Sequence, residues 1–246
     1  MNADPAAQLR LLDLQVADTV LAQLEHRRET LPELAVIADR EAGLARLDSD
    51  RVRAQTEVSD LDREQRRLEA DVDQVRLRAA RDQQRMQSGS VPAKELESLQ
   101  HEVQSLARRQ SELEDTVLEL MESHEEADAR LAAVQADIAR LTAERDEAVT
   151  ARNAAVAEID AAAADRLAAR DALSAGLPDD LRTLYEKVRA SAGGVGAAPL
   201  RHRRCEGCRL ELAGSELRAA RAAAPEEVLR CENCRRILVR TPESGL

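Results

Sequence analysis

Four cysteines stand in two pairs near the end of the chain, Cys205-Glu206-Gly207-Cys208 and, twenty-two residues on, Cys231-Glu232-Asn233-Cys234. A C-x-x-C turn lets two sulfurs converge on one ion from a tight loop, and two such turns complete a tetrahedron of soft ligands. The pattern predicts one structural Zn2+ per chain, held by Cys205, Cys208, Cys231 and Cys234. Four thiolates leave no position for water or substrate, which a catalytic zinc requires. Three other readings compete. A redox dithiol needs one pair at a helix start after a strand, inside an α/β domain, and neither pair has that setting. Structural disulfides need an oxidising compartment, and nothing upstream resembles an export signal. An iron–sulfur cluster also suits four thiolates, and spacing alone leaves it open.

No other group of residues points to catalysis, so the chain reads as non-enzymatic. There is no H-E-x-x-H, no nucleophile elbow and no Gly-rich cofactor loop. His26, His101, His124 and His202 are scattered; His124 falls on a helical seam, and His202 lies beside a metal shell already filled. The remaining chemistry is charge. Arg201, Arg203, Arg204, Arg209, Arg230, Arg235 and Arg236 crowd the two cysteine turns, and we expect the partner-binding surface at Arg201, Arg203, Arg204, Arg209, Arg235 and Arg236. Guanidinium groups suit carboxylates on a protein and equally suit nucleic-acid phosphates. The chain has no Phe, no Trp and one Tyr, which disfavours reading of single strands by base stacking. A protein partner of unidentified kind is therefore the first expectation, and RNA or DNA the alternative.

The elements that must position these residues are helical. The aromatic-poor, 34% charged composition, rich in Ala, Leu, Glu and Arg, is that of long helices or coiled coil. A first helical run follows Pro5, with Leu9, Leu12, Val16 and Val20 as its apolar stripe, and Pro32 kinks or breaks it near 30–33. From Leu44 a heptad series runs through Leu47, Val58, Leu61, Leu68, Val72 and Val75, interrupted by Arg51 and Gln65. Turn formers at 88–92 stop it. A second series follows through Leu99, Leu106, Leu113, Val117, Leu120, Leu131 and Ile138, fading toward Ala175. A 3.5-residue period marks a left-handed coiled coil, and a short link between long helices makes the pair antiparallel. With the turn near 90, partners should sum to about 181, placing Leu61 opposite Leu120. Residues 91–176 hold 9 basic and 19 acidic side chains, whereas 201–246 hold 10 and 7. So thin a rod leaves apolar faces through which the chain could form a homodimer.

Gly176-Leu177-Pro178 ends the second arm. A short helix from Asp179 carries Leu181, Leu184, Tyr185 and Val188, with Tyr185 expected to pack it against its neighbours. Gly193-Gly194-Val195-Gly196 reads as linker, Arg209–Leu212 and Ile237–Arg240 as strands, and Ser215 as a helix cap. The expected fold is mostly α: residues 1–176 a long antiparallel coiled-coil helical hairpin, 177–200 a short helix and Gly-rich linker, and 201–246 a small C-terminal C4 zinc ribbon. No window is apolar enough to cross a membrane. Reduced cysteines and an N-terminus unlike a signal peptide suggest a cytoplasmic protein, and the Ala/Arg bias a GC-rich bacterium.

This layout resembles a bacterial family of C4-type zinc ribbon proteins with a long N-terminal helical hairpin. The resemblance rests on Leu181-x-x-Leu-Tyr185-Glu-Lys-Val-Arg, then Gly193-Gly194, Cys205-x-x-Cys208 and Arg230-Cys-Glu-Asn-Cys234-x-Arg-Ile-Leu238. It implies a coiled-coil arm joined to a ribbon whose ligands are the four cysteines. In flagellated relatives it implies a link to flagellar biogenesis, an alternative sigma factor and flagellin messenger RNA. In intracellular parasites it implies contact with the same sigma factor and with secretion machinery. Family ribbons usually carry Gly after each cysteine pair; here those positions are Arg209 and Arg235.

Overall fold

The computed structural model describes residues 1–89 and 91–246; Ser90, within the turn expected at 88–92, lies outside them. In chain order the elements are α1 (Pro5–Glu29), α2 (Pro32–Gln87), α3 (Ala93–Ala175), α4 (Asp179–Ser191), β1 (Ala197–Arg201), β2 (Arg204–Cys205), α5 (Gly214–Ala222), β3 (Leu229–Arg230) and β4 (Ile237–Arg240). They form two compact units, one of Ala35–Ala148 and one of Met1–Leu34 with Val149–Leu246. No described helix is long and apolar enough to cross a membrane.

The first unit is the helical hairpin. Val72, Leu99, Leu113, Ala127 and Leu131 are buried along its seam. Arg85 meets Glu95 at 2.7 Å, Arg78 meets Glu102 at 2.6 Å and Arg40 meets Glu144 at 2.7 Å, so residue numbers rise on one helix as they fall on the other. Residue numbers of such pairs sum to 180 for these first two and 184 for the third, and to 190 for Arg76–Glu114 and 187 for Glu57–Arg130, so the ion pairs lie around and above the expected 181. The pairs are exposed or half-exposed and add little stability; the apolar seam holds the arm. The helices approach closely at Gly43, where a Cβ would lie 2.9 Å from Leu141 Cδ1. Polar seam residues are satisfied locally: Arg51 pairs with Asp48 at 2.8 Å, and Gln65 donates to Glu69 at 2.8 Å.

The second unit is built on a four-stranded sheet of order β2-β1-β4-β3. β1 runs parallel to β4, pairing Ala197 with Ile237 and Leu200 with Arg240. Side chains alternate across a sheet with a period of two, and two cores follow from that. Ala197, Ile237 and Val239 face Leu11 and Leu14 of α1 and Leu181, Tyr185 and Val188 of α4. Ala198, Leu200 and Leu238 face the other way, with Cys205, Leu212, Ala220 and Cys231.

This arrangement corrects several expectations. Residues 197–200 are strand rather than linker, because β1 completes the sheet by pairing with β4. Residues 1–34 make their contacts within the unit that also holds Val149–Leu246. The buried face of α1 is Ala7, Leu11, Leu14, Gln15 and Asp18, while Leu9 and Val16 of the expected stripe are 44% and 63% exposed. Arg209–Leu212 contributes only a single bridge, Glu211 to Arg204. Ser215 caps nothing; α5 begins after Ala213 without a side-chain cap. Between α1 and α2 the helix breaks at Thr30-Leu31. Pro32 opens α2, as proline does at a first helical position, and the residue before proline avoids helical backbone.

Candidate metal centre

Both cysteine pairs lie in turns closed in the same way. Arg209 N–H donates to the Cys205 carbonyl at 2.7 Å, and Arg235 N–H to the Cys231 carbonyl at 2.9 Å. Cys205 N–H then reaches the Leu210 carbonyl, and Cys231 N–H the Arg236 carbonyl, each at 3.0 Å. Closing the turn takes the residue after each pair into left-handed backbone, with φ of 62° at Arg209 and 64° at Arg235. That conformation suits glycine and costs other residues about 1–2 kcal/mol.

All four Sγ atoms lie within 4.8 Å of one another. Cys205 and Cys234 are 3.9 Å apart, and Cys208 and Cys231 3.8 Å. Zinc–sulfur bonds of about 2.3 Å place tetrahedral ligands about 3.8 Å apart. Disulfides need about 2.05 Å, and the cysteines are free thiols. A multi-iron cluster, with its own bridging sulfides, would hold the thiolates farther apart. The four residues therefore fit one Zn2+, which would be held without an open position. Cys205 and Cys231 are buried, Cys208 and Cys234 half-buried. Burial pushes the Cys205 and Cys231 thiols up, whereas at Cys234 burial is outweighed by hydrogen bonds from the Arg236 N–H and neighbouring thiols, which pull it down, so zinc entry must expel protons from the buried pair.

A family model for the CT398-like coiled coil hairpin domain matches residues 14–193. The chain belongs to this hairpin family. A C4-type zinc ribbon domain matches residues 204–238, which spans all four ligands. An uncharacterized protein of Mycobacterium tuberculosis is 41% identical over 244 residues, 98% of each chain. A Mycobacterium leprae protein, also uncharacterized, is 30% identical over 228 residues, covering 93% of this chain and 94% of its own. A Mycobacterium smegmatis structure superposes with a TM-score of 0.88 at 37% identity, covering 98% of this chain and all of its own. CT398 of Chlamydia trachomatis shares the fold, with a TM-score of 0.70 at 16% identity over 96% of this chain and 98% of its own. This hairpin family member thus carries a zinc ribbon with one structural Zn2+.

The arginines expected to form one surface divide into two groups. Arg236 is half-buried and its guanidinium clamps three carbonyls, of Ala192 at 2.7 Å, Gly207 at 3.0 Å and Val195 at 3.1 Å. It joins the first cysteine turn to the loop after α4. Arg201 pairs with Glu243 at 2.8 Å, Arg203 donates to the Gly245 carbonyl at 3.2 Å, and Arg230 caps the Arg235 carbonyl. Arg204, Arg209 and Arg235 are exposed, and their side chains have no partner among the described residues.

Two features escaped the sequence. Glu216 of α5, 7% exposed, accepts the Glu232 N–H of the second cysteine turn at 2.9 Å. The larger one is a buried polar set beneath the ribbon. Asp18 is 1% exposed; it accepts Tyr185 Oη–H at 2.6 Å and pairs with Arg170 at 3.0 Å and Arg189 at 3.1 Å. Gln15 Oε1 accepts the N–H groups of Gly196 at 2.7 Å and Ala197 at 3.3 Å, which positions the start of β1. Burial first, and then the hydrogen bond to Asp18, raises Tyr185 well above the usual phenol range. A polar Gln15 and Asp18 amid the Leu11 and Leu14 repeat was the available signal.

Proposed function

We propose that this protein is a non-enzymatic adaptor, in which the basic face of the zinc ribbon docks an acidic surface of a protein partner and the helical arm supplies a second contact surface. The observation that carries this reading is that Arg204, Arg209 and Arg235, each next to a cysteine ligand, are exposed and unpaired among the described residues, on backbone that a bound metal would hold rigid. Cations on a fixed backbone suit carboxylates, because only side-chain freedom remains to be lost on docking. Nucleic acid is the weaker reading. Three phosphate contacts correspond to a log–log salt slope of only about −2 to −3. The sole aromatic, Tyr185, is fully buried, so it offers no platform for base stacking. The family resemblance makes the transcription apparatus the first place to look for the partner.

The test combines titration of the zinc-loaded protein with RNA and duplex DNA at physiological salt and photo-crosslinking from position 235 in cells. Crosslinks to an acidic protein surface, lost in the Arg204→Glu/Arg209→Glu variant with zinc retained, support the adaptor. Micromolar nucleic-acid binding that the same variant abolishes overturns it.

A further inference from the structure

We propose that the zinc ribbon and the acidic stretch of the arm are complementary docking surfaces, and that a second copy of this chain brings them together. The inference rests on the adaptor reading above and names one acidic surface that the ribbon recognises. Between residues 110 and 129, α3 carries eight acidic residues and no Lys or Arg. Asp115, Glu119, Glu122 and Glu125 of this stretch are exposed and form no ion pair among the described residues. The hairpin seam does not use this face: residues 115, 118, 122 and 125 recur at three- and four-residue steps on one side of the helix. Leu118 and Met121 beside them are 59% and 41% exposed. Leu118 forms the lip of a groove of about 440 Å³ lined by Val72 and Val117 and, on the charged side, by Glu69, Asp73 and the Arg76–Glu114 pair.

The ribbon presents the inverse pattern. Leu210 is 52% exposed. Arg209 precedes it, and the backbone of Arg204 bridges to Glu211 on its other side; neither guanidinium has a partner among the described residues. An apolar knob with Arg204 and Arg209 beside it, Glu211 adjoining, thus meets a groove with an apolar floor and a net acidic rim. Complementary charge steers encounter and selects partner and register, and the apolar contact adds affinity. Because the two surfaces are different patches, the contact is heterologous, and each copy offers one of each.

Sedimentation velocity of the full-length, zinc-loaded protein over a wide concentration range, at low and high ionic strength, tests this. Reversible self-association at low salt, lost when salt screens the charges, is expected. Arg204→Glu/Arg209→Glu in the ribbon, or Asp115→Arg/Glu122→Arg in the arm, should each weaken association about ten-fold. Mixing the two variants should restore it, since the reversed charges match again. Zinc content is measured alongside, and the arm variant, which lies far along the chain from the ligands, is decisive by itself. A protein that stays monomeric at every concentration overturns the proposal. So does association that is indifferent to salt or to the arm variant, or a mixture that fails to re-associate. If the ribbon arginines are still required for a different acidic protein, the adaptor reading survives that failure.

Discussion

Replacing Asp18 by Asn preserves shape and removes one negative charge from the most deeply buried polar set in the protein. Asp18 is 1% exposed and faces Arg170 at 3.0 Å, Arg189 at 3.1 Å and the Tyr185 hydroxyl at 2.6 Å. Breaking a fully buried ion pair costs about 3–5 kcal/mol, because the partner charge is stranded. Here the stranding is partial. Arg170 retains Glu186, and Arg189, with its side chain 33% exposed, can turn to water. We therefore expect a loss of about 2–3 kcal/mol. Tyr185 is the only aromatic residue, so intrinsic fluorescence reports unfolding of this unit alone while far-UV circular dichroism is dominated by the arm. With a urea m-value of about 1–3 kcal/mol/M, the fluorescence midpoint should fall by about 1–2 M. A double-mutant cycle with Arg170→Gln should show coupling of about 1–3 kcal/mol. A loss under about 1 kcal/mol, or strictly additive variants, would falsify the claim that this set locks α1, α3 and α4 together.

Three more outcomes follow from the same geometry. Chelation of zinc should unfold the sheet around the cysteine turns and leave the helical signal of the arm in place; Cys231→Ser should bind less than one zinc per chain, and full metal content in that variant would contradict a four-cysteine site. Gly196→Ala should destabilise by about 1–3 kcal/mol, since its Cβ would lie 2.8 Å from the Tyr185 ring and from the Tyr185 carbonyl oxygen, and backbone cannot give way as a side-chain tip can; a fluorescence-detected midpoint equal to wild type would refute this. Tyr185 is raised by burial and by Asp18, so the folded state holds its proton where the unfolded state loses it. That stability is complete below about pH 10 and declines as pH rises beyond it, and absorbance near 295 nm should show phenolate appearing together with unfolding, not before it.

The metal site was legible because its ligands are adjacent in sequence: C-x-x-C is a local turn, and four thiols of one kind have few other uses. The hairpin was legible because a 3.5-residue repeat and a Gly/Pro break are also local. What the sequence concealed depends on pairing across distance. β1, Ala-Ala-Pro-Leu-Arg, reads as linker by composition and becomes strand only by pairing in parallel with β4. The stripe of Leu9, Leu12, Val16 and Val20 has the right period, yet the adjoining face is buried, where Leu11 and Leu14 pack into the core and Gln15 and Asp18 find polar partners. Arg236 and Arg235 look alike in sequence. Carbonyls of Ala192, Val195 and Gly207 engage the first, and the second closes its turn through its N–H and is exposed.

The ribbon-bearing unit is assembled from both ends of the chain. Met1 and Ala3 hydrogen-bond to Val228 and Glu226, and Leu11 and Leu14 pack with Ile237 and Val239. During synthesis at about 5–20 residues per second, α1 must wait roughly 10–45 s for β4 to be made. The arm of 35–148, whose contacts follow one turn, has no such delay and can form first. Gln15 and Asp18 on the waiting face of α1 lower its hydrophobicity during that interval, and the polar set that later locks the unit also keeps its unpaired half from sticking to the wrong surface.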